Sequence, residues 1–552
     1  MRLLKHIVRM PLKFALSYAR KLMKYRRRRY AQKVYNDWAQ AEVHRCYVKE
    51  DTLFAPKISI VVPVYNTPVY HLFSMVYSVV NQHYQNWELV LVDASTNEES
   101  HDLVSSCPQI DKRIVVLRKQ NEGISDNTNA GINIATGEYV AFVDHDDLLH
   151  ACALHCIVEK LQAKKRPGVV YTDEDKVSDD GEMRLDPHCK PDWSPETLRT
   201  VNYINHLTIV EKKYIQGVGG LRSQYDGAQD YDLLLRIIDK YSPVIAHVPR
   251  ILYHWRLAIS STATNFQVKP NILRAGEAVL NEHLKRQNLK ASALAMKNMP
   301  GFYKISYGTL PRSVSVVAIN IDPYNYDVAI TTLVTIGQQI KAAGLGKQLI
   351  VSSRLTNYRH LLSGWDDIFY VEDELNIRKI KGDMVLIVND AIRIERNDDI
   401  RDLFTVAHQS HVSAVAPIVV NRDRRIVDAG LVKQRQNLGA LYKHLTHGEP
   451  TYFGSTLWPR HIDAHSASFM AIKKEVLERY SGLLSSLASE RVSAAARIAS
   501  EHNSLILWPH TEVIFTGHLA DDTTEGNYNS SLAEPVADIS MYFSKDRTTK
   551  TW

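Results

Sequence analysis

The stretch Glu138–Asp147, "EYVAFVDHDD", runs an apolar segment of strand length straight into Asp144, His145, Asp146 and Asp147. Carboxylates crowded at one strand tip repel one another, so the cluster asks for a cation. Three upstream runs share the pattern: "KISIVVPVY" (57–65), "ELVLVDA" (88–94) and "RIVVLRK" (113–119). They are rich in Val and Ile without strict alternation, as strands buried on both faces are. Helix-length segments separate them, which predicts a doubly wound α/β sheet with its ligand site at the carboxyl ends of the strands.

Downstream, "GVVYTDEDK" (168–176) reads as a strand with an acidic tip. "HLTIVEKKYI" (206–215) reads as a strand entering a turn at Gly217–Gly220. A helix is expected at "QDYDLLLRIIDKY" (229–241), a strand at "PVIAHVPRILYHWR" (243–256), a connecting helix over 268–290 and a linker over 298–311. At Val314 the pattern restarts. "VSVVAINID" (314–322) mirrors "ISIVVPVYN" (58–66), "QLIVSS" (348–353) mirrors "ELVLVD" (88–93), and "GDMVLIVND" (382–390) mirrors "GEYVAFVDH" (137–145). "HIDAHSASFMAIKKEVL" (461–477) also echoes "VNYINHLTIVEKKYI" (201–215), a duplication with a period of about 250 residues.

The 552 residues and 45% hydrophobic content fit roughly two to four globular domains. Five scattered cysteines, Cys46, Cys107, Cys152, Cys156 and Cys189, do not form a disulfide framework, and a reducing compartment is expected. Residues 1–36 hold twelve Lys or Arg and no acid, so the basic character of this +6 chain belongs to its start. Leu4, Ile7, Val8, Leu12, Ala15, Ala19, Leu22 and Met23 recur there at helical spacing. The uncharged run Phe14–Ala19 is far below the ~20 residues of a membrane span, so the segment is expected to lie on a membrane surface. A basic helix packed on its own protein, nucleic-acid binding through Arg26–Arg29 and a transit peptide are the alternatives, while charges interrupt any secretory core.

"VPVYNTP" follows the first strand where a dinucleotide or P-loop enzyme carries a glycine-rich turn. What remains is a set of acids at strand ends: Asp93, Asp144 and Asp146, Asp173–Asp175, and Asp230. Asp144 and Asp146, two apart, can share a Mg²⁺ or Mn²⁺ ion with a substrate diphosphate, which implies group transfer from a nucleoside diphosphate compound. "HACALHC" (150–156) suggests zinc, but on a helix only Cys152 and Cys156 share a face.

The order "VPVYN", "VDAS", "NEGISDNTNAGI", "FVDHDD" and "GAQDYDLLLR" resembles glycosyltransferase family 2. With "TDEDK", "KPDWSPETL", "HVPRILYHWR" and "PGFYKISY", the chain is similar over about 57–535 to tandem-domain transferases of bacterial O-antigen and capsule assembly. The resemblance implies two GT-A-like doubly wound α/β domains in tandem, the second degenerate, preceded by a basic amphipathic N-terminal helix. The expected segments are 1–50 (membrane surface), 51–265 (catalytic), 266–311 (helical linker), 312–535 (degenerate copy) and 536–552 (tail).

Carried over, the resemblance puts Pro63, Tyr65, Asn66, Asn121 and Gly123 at the nucleotide sugar, and Asp93 on its base. Asp144 and Asp146 bind metal, Asp144 also approaching the ribose. His254 is a further metal ligand, Arg256 meets the diphosphate, and Asp230 is the general base. Asp173, Glu174 and Asp175 contact a sugar or form a solvated acidic turn, and Trp193 stacks on sugar or is a buried core residue. Asp93 as a turn cap, Asp230 as a helix N-cap and His254 as a hydrogen-bonded core histidine are the plain alternatives. The chain departs from the pattern it resembles at Gln229, where many members have an acid, and at Thr128, where many have an arginine. Asp147 is expected to start the next helix. The second copy has Ser353 in place of Asp93, Asn389, Asp390 and Ala391 at the acidic tip, and Arg491 in place of Asp230.

The expected function is inverting transfer, with Mn²⁺ or Mg²⁺, from a UDP-, dTDP- or GDP-linked sugar to a lipid-linked glycan at the cytoplasmic face of a bacterial membrane. No nucleic acid is expected, and other polysaccharide-assembly enzymes are candidate partners. A non-catalytic glycan-binding or scaffold protein is one alternative. A sugar-nucleotide nucleotidyltransferase is the other, and it lacks its glycine-rich signature here.

Overall fold

The structure, a computed structural model, describes residues 33–39, 53–257 and, with short gaps, 270–515. The expected strands form, joined by two short ones at 148–149 and 184–188 that were not expected. They are β1 (Ile58–Val64), β2 (Trp87–Asp93), β3 (Ile114–Arg118), β4 (Tyr139–Phe142), β5 (Leu148–Leu149), β6 (Val169–Val177), β7 (Arg184–His188), β8 (Thr208–Glu211) and β9 (Ile245–Arg256). Their order is β3-β2-β1-β4-β8-β6-β9-β5, with β7 beside β6. β1 to β4 pair in parallel, but β8 lies antiparallel between β4 and β6. The sheet is therefore mixed rather than uniformly parallel.

Several local expectations change. Residues Lys212–Gly217, read as the end of a strand, form a short helix. Asp147 does not open a helix; it is fully buried and precedes β5. The 298–311 linker contains β11 (Tyr303–Tyr307), which pairs with β10 (Ala291–Ala295) against the helix Pro270–Arg286. The helix Gln229–Tyr241 has the expected bounds, with Asp230 and Asp232 in its first turn, where negative charge suits the helix dipole. Cys107 and Cys156 are free thiols, whereas Cys152 is disulfide-bonded, a bond that the expectation of a reducing compartment did not include.

A second sheet repeats the first. Its strands begin with β12 (Ser313–Ala318), β13 (Gly346–Ser352), β14 (Asp367–Val371), β15 (Met384–Val388), β16 (Ile392–Arg393), β17 (Ala414–Val420) and β18 (Ile426–Asp428). After a hairpin of β19 (Leu431–Gln434) and β20 (Asn437–Ala440) come β21 (Arg460–His461), β22 (Phe469–Lys473) and β23 (Leu505–Phe515). The order β14-β13-β12-β15-β22-β17-β23-β16 matches the first sheet strand for strand, and the parallel and antiparallel pairings match as well.

The repeat extends to a buried polar device. Ser59 Oγ donates to Glu88 Oε1 at 2.6 Å and accepts from Gly137 N at 2.8 Å; Ser315 Oγ donates to Gln348 Oε1 at 2.7 Å and accepts from Gly382 N at 2.8 Å. Both glycines are required by close approach. A Cβ at Gly137 would stand 2.6 Å from Lys57 O, and one at Gly382 2.4 Å from Ser315 N.

The two sheets share one apolar cluster and meet around the helix Pro195–Thr200. Buried Glu196 accepts from His411 Nε2 at 2.6 Å and pairs with His461 at 3.0 Å. Thr197 Oγ1 donates to Pro459 O at 2.5 Å, and buried Trp458 packs edge-on against His188. At the other end, residues 33–39 form a helix whose Tyr35 and Ala39 pack on Ile251. The membrane-surface expectation for residues 1–36 otherwise lies outside the described residues, as does the tail 536–552. Among the described residues, no helix is long and apolar enough to cross a membrane.

Burial raises the Glu88 carboxyl, but Lys57 at 2.6 Å and the Ser59 and Thr136 hydrogen bonds outweigh it, holding the group down to about 2. A depressed carboxyl stabilises the fold above its ordinary value of 4.5 and loses that contribution as pH falls towards about 2. Glu88→Gln, which copies Gln348, is therefore expected to flatten the decline of denaturant stability over that window. An unchanged slope would contradict the assignment.

Candidate active site

A cleft opens at the carboxyl ends of β1 and β4. Its walls bring together Pro63 near the end of β1, Asp144 after β4 and Asp230 at the start of its helix, with Thr128, Asn205, His206 and Gln229. Asp230 Oδ1 accepts from Tyr231 N at 2.8 Å, and Oδ2 accepts from Asn202 Nδ2 at 3.1 Å and from Asn205 Nδ2. Burial raises the Asp230 carboxyl above its ordinary value; the Tyr231 N–H and His206 oppose the rise and Asp144 adds to it. A carboxylate of that kind is suited to taking a proton.

The acidic loop after β4 is fastened from below. Asp147 Oδ1 accepts from Arg256 N at 2.7 Å, while Oδ2 accepts from the Tyr253 hydroxyl, which also accepts from Asp144 N at 3.3 Å. Burial, with Asp144 and Asp146 adjoining, holds the Asp147 carboxyl well above its usual range. Asp146 is also raised by burial, with His145 opposing and Asp144 reinforcing. Asp144 remains half-exposed beside His206 Nε2, 3.7 Å away.

Arg256 is fully buried. It donates from Nε to Asp146 O and from Nη1 to Asp179 O, both at 2.7 Å, and its buried Nη2 has no partner among the described residues. Among those residues no three His, Cys, Asp or Glu side chains form a ready metal cluster.

The acids of β6 are neither a turn nor solvated. Asp173 is paired with His247 at 2.9 Å and accepts from Lys190 N at 2.7 Å. Glu174 bonds His188 at 3.0 Å and the His206 backbone N–H at 2.7 Å. Asp175 bonds His254 Nδ1 at 2.8 Å, Arg184 Nη2 at 2.6 Å and the Tyr35 hydroxyl. Burial alone would raise Glu174 and Asp175, but Lys190 for the first and Arg184 for the second outweigh it, so both stay ionised. Burial and the neighbouring Arg184 lower His254, keeping it neutral, with Nδ1 taken by Asp175 and Nε2 without a hydrogen-bond partner among the described residues. Trp193 is partly buried against the main apolar cluster.

The residues expected at the nucleotide mostly organise loops beside the cleft. Asn66 Oδ1 accepts from Thr96 N at 2.8 Å and Asn97 N at 3.1 Å, while Tyr65 is 47% exposed. Asp93 is fully buried and takes Ser95 N at 2.9 Å, His101 Nδ1 at 2.8 Å and Arg118. Its partners His101 and Arg118 are the side chains that reach solvent there. Asn121 Oδ1 accepts from Gly123 N at 3.1 Å and Asn127 Nδ2 at 3.0 Å. Gly123 has φ +102°, a conformation that favours glycine, and a Cβ there would stand 3.0 Å from Asp226.

Sequence reasoning missed Asn202, Asn205 and His206, which reach Asp230, Glu174 and Asp144. The available signal was "VNYINHL" (201–207), polar groups interrupting an apolar approach to β8. Burial pulls the His206 imidazole down, but Glu174, Asp144 and Asp147 push it up to about 9. In metal-free protein its NMR titration midpoint is expected near that value, and lower in Glu174→Gln. A wild-type midpoint near 6.5 would contradict the geometry.

Sequence comparison follows the first sheet. The chain is 31% identical over 511 residues to the uncharacterized protein y4gI of Sinorhizobium fredii, covering 85% of this chain and 54% of that one. It is 29% identical over 448 residues to the O-antigen biosynthesis protein RfbC of Myxococcus xanthus, covering 77% and 34%. It is 25% identical over 237 residues to the hyaluronan synthase of Pasteurella multocida, covering 42% and 24%. The chain thus spans about half of the first relative and a third of the second. A family model described as glycosyl transferase family 2 matches residues 59–214, which hold strands β1 to β8 of the first sheet.

Proposed function

We propose that the chain is an inverting, metal-dependent glycosyltransferase that moves a sugar from a nucleoside diphosphate sugar to a hydroxyl of a growing, lipid-linked surface polysaccharide. The observation that carries this reading is the cleft in which Asp230, its carboxyl raised by burial, faces the Asp144 loop across the carboxyl ends of β1 and β4. Asn202, Asn205 and the Tyr231 N–H hold that carboxylate in place. Asp230 takes the proton of the acceptor hydroxyl as its oxygen bonds to the anomeric carbon. The bond from that carbon to the diphosphate breaks on the opposite side, and its electron pair leaves with the nucleotide.

The nucleotide lies along Pro63, Tyr65, Asn66, Asn121 and Gly123, with the base near Asp93. Because the Asp93 carboxylate is already engaged by three donors, His101 and Arg118 are the groups it presents. The unpartnered Nη2 of Arg256 suits a diphosphate oxygen. Mn²⁺ or Mg²⁺ would be held by Asp144 and Asp146, with His254 Nε2 as a further donor; two carboxylates completed by substrate phosphate are a usual set for such ions. When bound, the ion neutralises charge that develops on the leaving diphosphate.

In the same reading, residues 51–265 are the catalytic GT-A domain and 312–535 a degenerate copy that braces it. Register supports the second part: Ile418, Val419, Val420 and Ile514 occupy the positions of Asp173, Glu174, Asp175 and His254. The basic residues 1–36 bind the cytoplasmic membrane surface, where a lipid-linked acceptor is found.

Asp230→Asn is expected to lower transfer by roughly 10²–10⁴-fold while nucleotide-sugar binding persists. Full transfer activity in that variant would exclude Asp230 as the base. Because its carboxyl is raised, activity falls as pH drops through a value above the ordinary carboxylate range. Asn205→Ala removes a donor to the ionised form and is expected to move the acid limb of kcat/KM to higher pH. A limb that moves to lower pH would contradict that role.

A further inference from the structure

Residues 58–87 contain no Asp, Glu, Lys or Arg, in a chain that is 23% charged. The helix in this stretch, Val69–Val80, begins shortly after Pro63 of the cleft. It buries Leu72, Met75 and Val79 in the core of the first sheet and turns Val69, Tyr70, Phe73 and Tyr77 outwards on one face. Tyr70 is 58% exposed, Phe73 47% and Tyr77 61%, and the rings of Phe73 and Tyr77 stack on each other. The turn between β6 and β7 adjoins this face. The Tyr70 hydroxyl donates to Asp180 O at 2.8 Å, His71 Nε2 pairs with Asp179 at 3.3 Å, and the same turn carries Met183, 53% exposed. The next residue closes the arrangement: Arg184 N donates to Asn36 Oδ1 at 3.1 Å, so the basic residues 1–36 end against that turn.

We infer that the face formed by Val69, Tyr70, Phe73, Tyr77 and Met183 is a membrane-contact surface that seats in the headgroup region of an anionic bilayer. The inference rests on the membrane-surface reading of residues 1–36 and extends it to the transferase domain itself. Clustered exposed aromatic and apolar side chains mark an interaction site, and tyrosine suits a boundary where one end is apolar and the other wet. The polar groups of the face are already spent within the helix. Ser74 Oγ donates to Tyr70 O and Ser78 Oγ to Met75 O, both at 2.7 Å, and Asn81 Nδ2 donates to Tyr77 O at 2.8 Å. A glycan platform would keep such donors free for sugar hydroxyls, whereas a lipid boundary favours their being satisfied. The two parts divide the work: the basic residues attract anionic headgroups, and the aromatic face supplies apolar area. With the helix beginning beside Pro63, the cleft then lies close to the surface that holds a lipid-linked acceptor.

The test is cosedimentation of the full chain with phosphatidylcholine vesicles containing phosphatidylglycerol, at low and high salt. Wild type is compared with the double variant Phe73→Ser/Tyr77→Ser and with a variant in which Arg26, Arg27, Arg28 and Arg29 are changed to Gln. The double variant is expected to bind vesicles about tenfold more weakly at low salt. High salt screens the basic residues, so the wild type keeps part of its binding there and the double variant keeps none. Unfolding temperature checks folding. If the double variant does not fold, Val69→Ser/Met183→Ser alters the same face and carries the same expectation. Should the Arg-to-Gln variant lose binding while Phe73→Ser/Tyr77→Ser binds as wild type does, the inference is overturned and the membrane reading of residues 1–36 stands. Should wild type bind no vesicles, both fail. Unchanged vesicle binding with a raised KM for a soluble oligosaccharide acceptor would assign the face to glycan, and unchanged vesicle binding with an altered oligomeric state would assign it to a second copy of the chain; either overturns the inference.

Discussion

The site depends on pairing three successive carboxylates inside a sheet. A carboxylate removed from water must be paired and hydrogen-bonded or it takes up a proton. Asp173, Glu174 and Asp175 of β6 are all buried, and each is answered by cations or N–H donors from a different element. His247 and the Lys190 backbone answer the first, His188 and His206 the second, and Arg184, His254 and Tyr35 the third. One of these partners lines the cleft: His206 stands between Glu174 and Asp144. The charges of β6 thereby set the orientation of groups at the cleft.

The second sheet shows that the fold itself does not need this arrangement. It has the same strand order, a register shift at the matching place in the strand pair that corresponds to β6 and β9, and the same serine device under the first strand. At the β6 positions it carries Ile418, Val419 and Val420, which bury without partners. Replacing a buried charge network by apolar residues is commonly neutral or stabilising. Retention of the network on one sheet and its absence from the other therefore point to chemistry on the first. Glu196 and Trp458 seat the second sheet directly behind the first, next to His188, so the apolar copy supports the network it lacks.

Much of the fold was legible because buried parallel strands are written as uninterrupted Val and Ile runs, and β1, β2 and the helix at Gln229 fall where those patterns put them. The antiparallel insertion of β8 was not, since register between distant strands leaves no local signal. For the same reason β11 read as a linker: its partner β10 lies across a turn of irregular composition. At the site, the spacing of Asp144 and Asp146 and the place of Asp230 could be read from the chain. The pairing of Asp173–Asp175 could not, because burial of a carboxylate is decided by Lys190, His247 and Arg184 arriving from elsewhere. Asn202, Asn205 and His206 were hidden in the same way, as ordinary polar residues until the helix at Gln229 brings Asp230 to them.

The central claim is a single displacement with Asp230 as base on the face opposite the leaving diphosphate. The most direct measurement is the anomeric configuration of the product, read from the ¹H coupling constants of the new glycosidic bond formed from a donor of known configuration. The account predicts inversion, an α-linked donor giving a β-glycoside. Retention would require two displacements or a nucleophile that this cleft does not provide, and would contradict it.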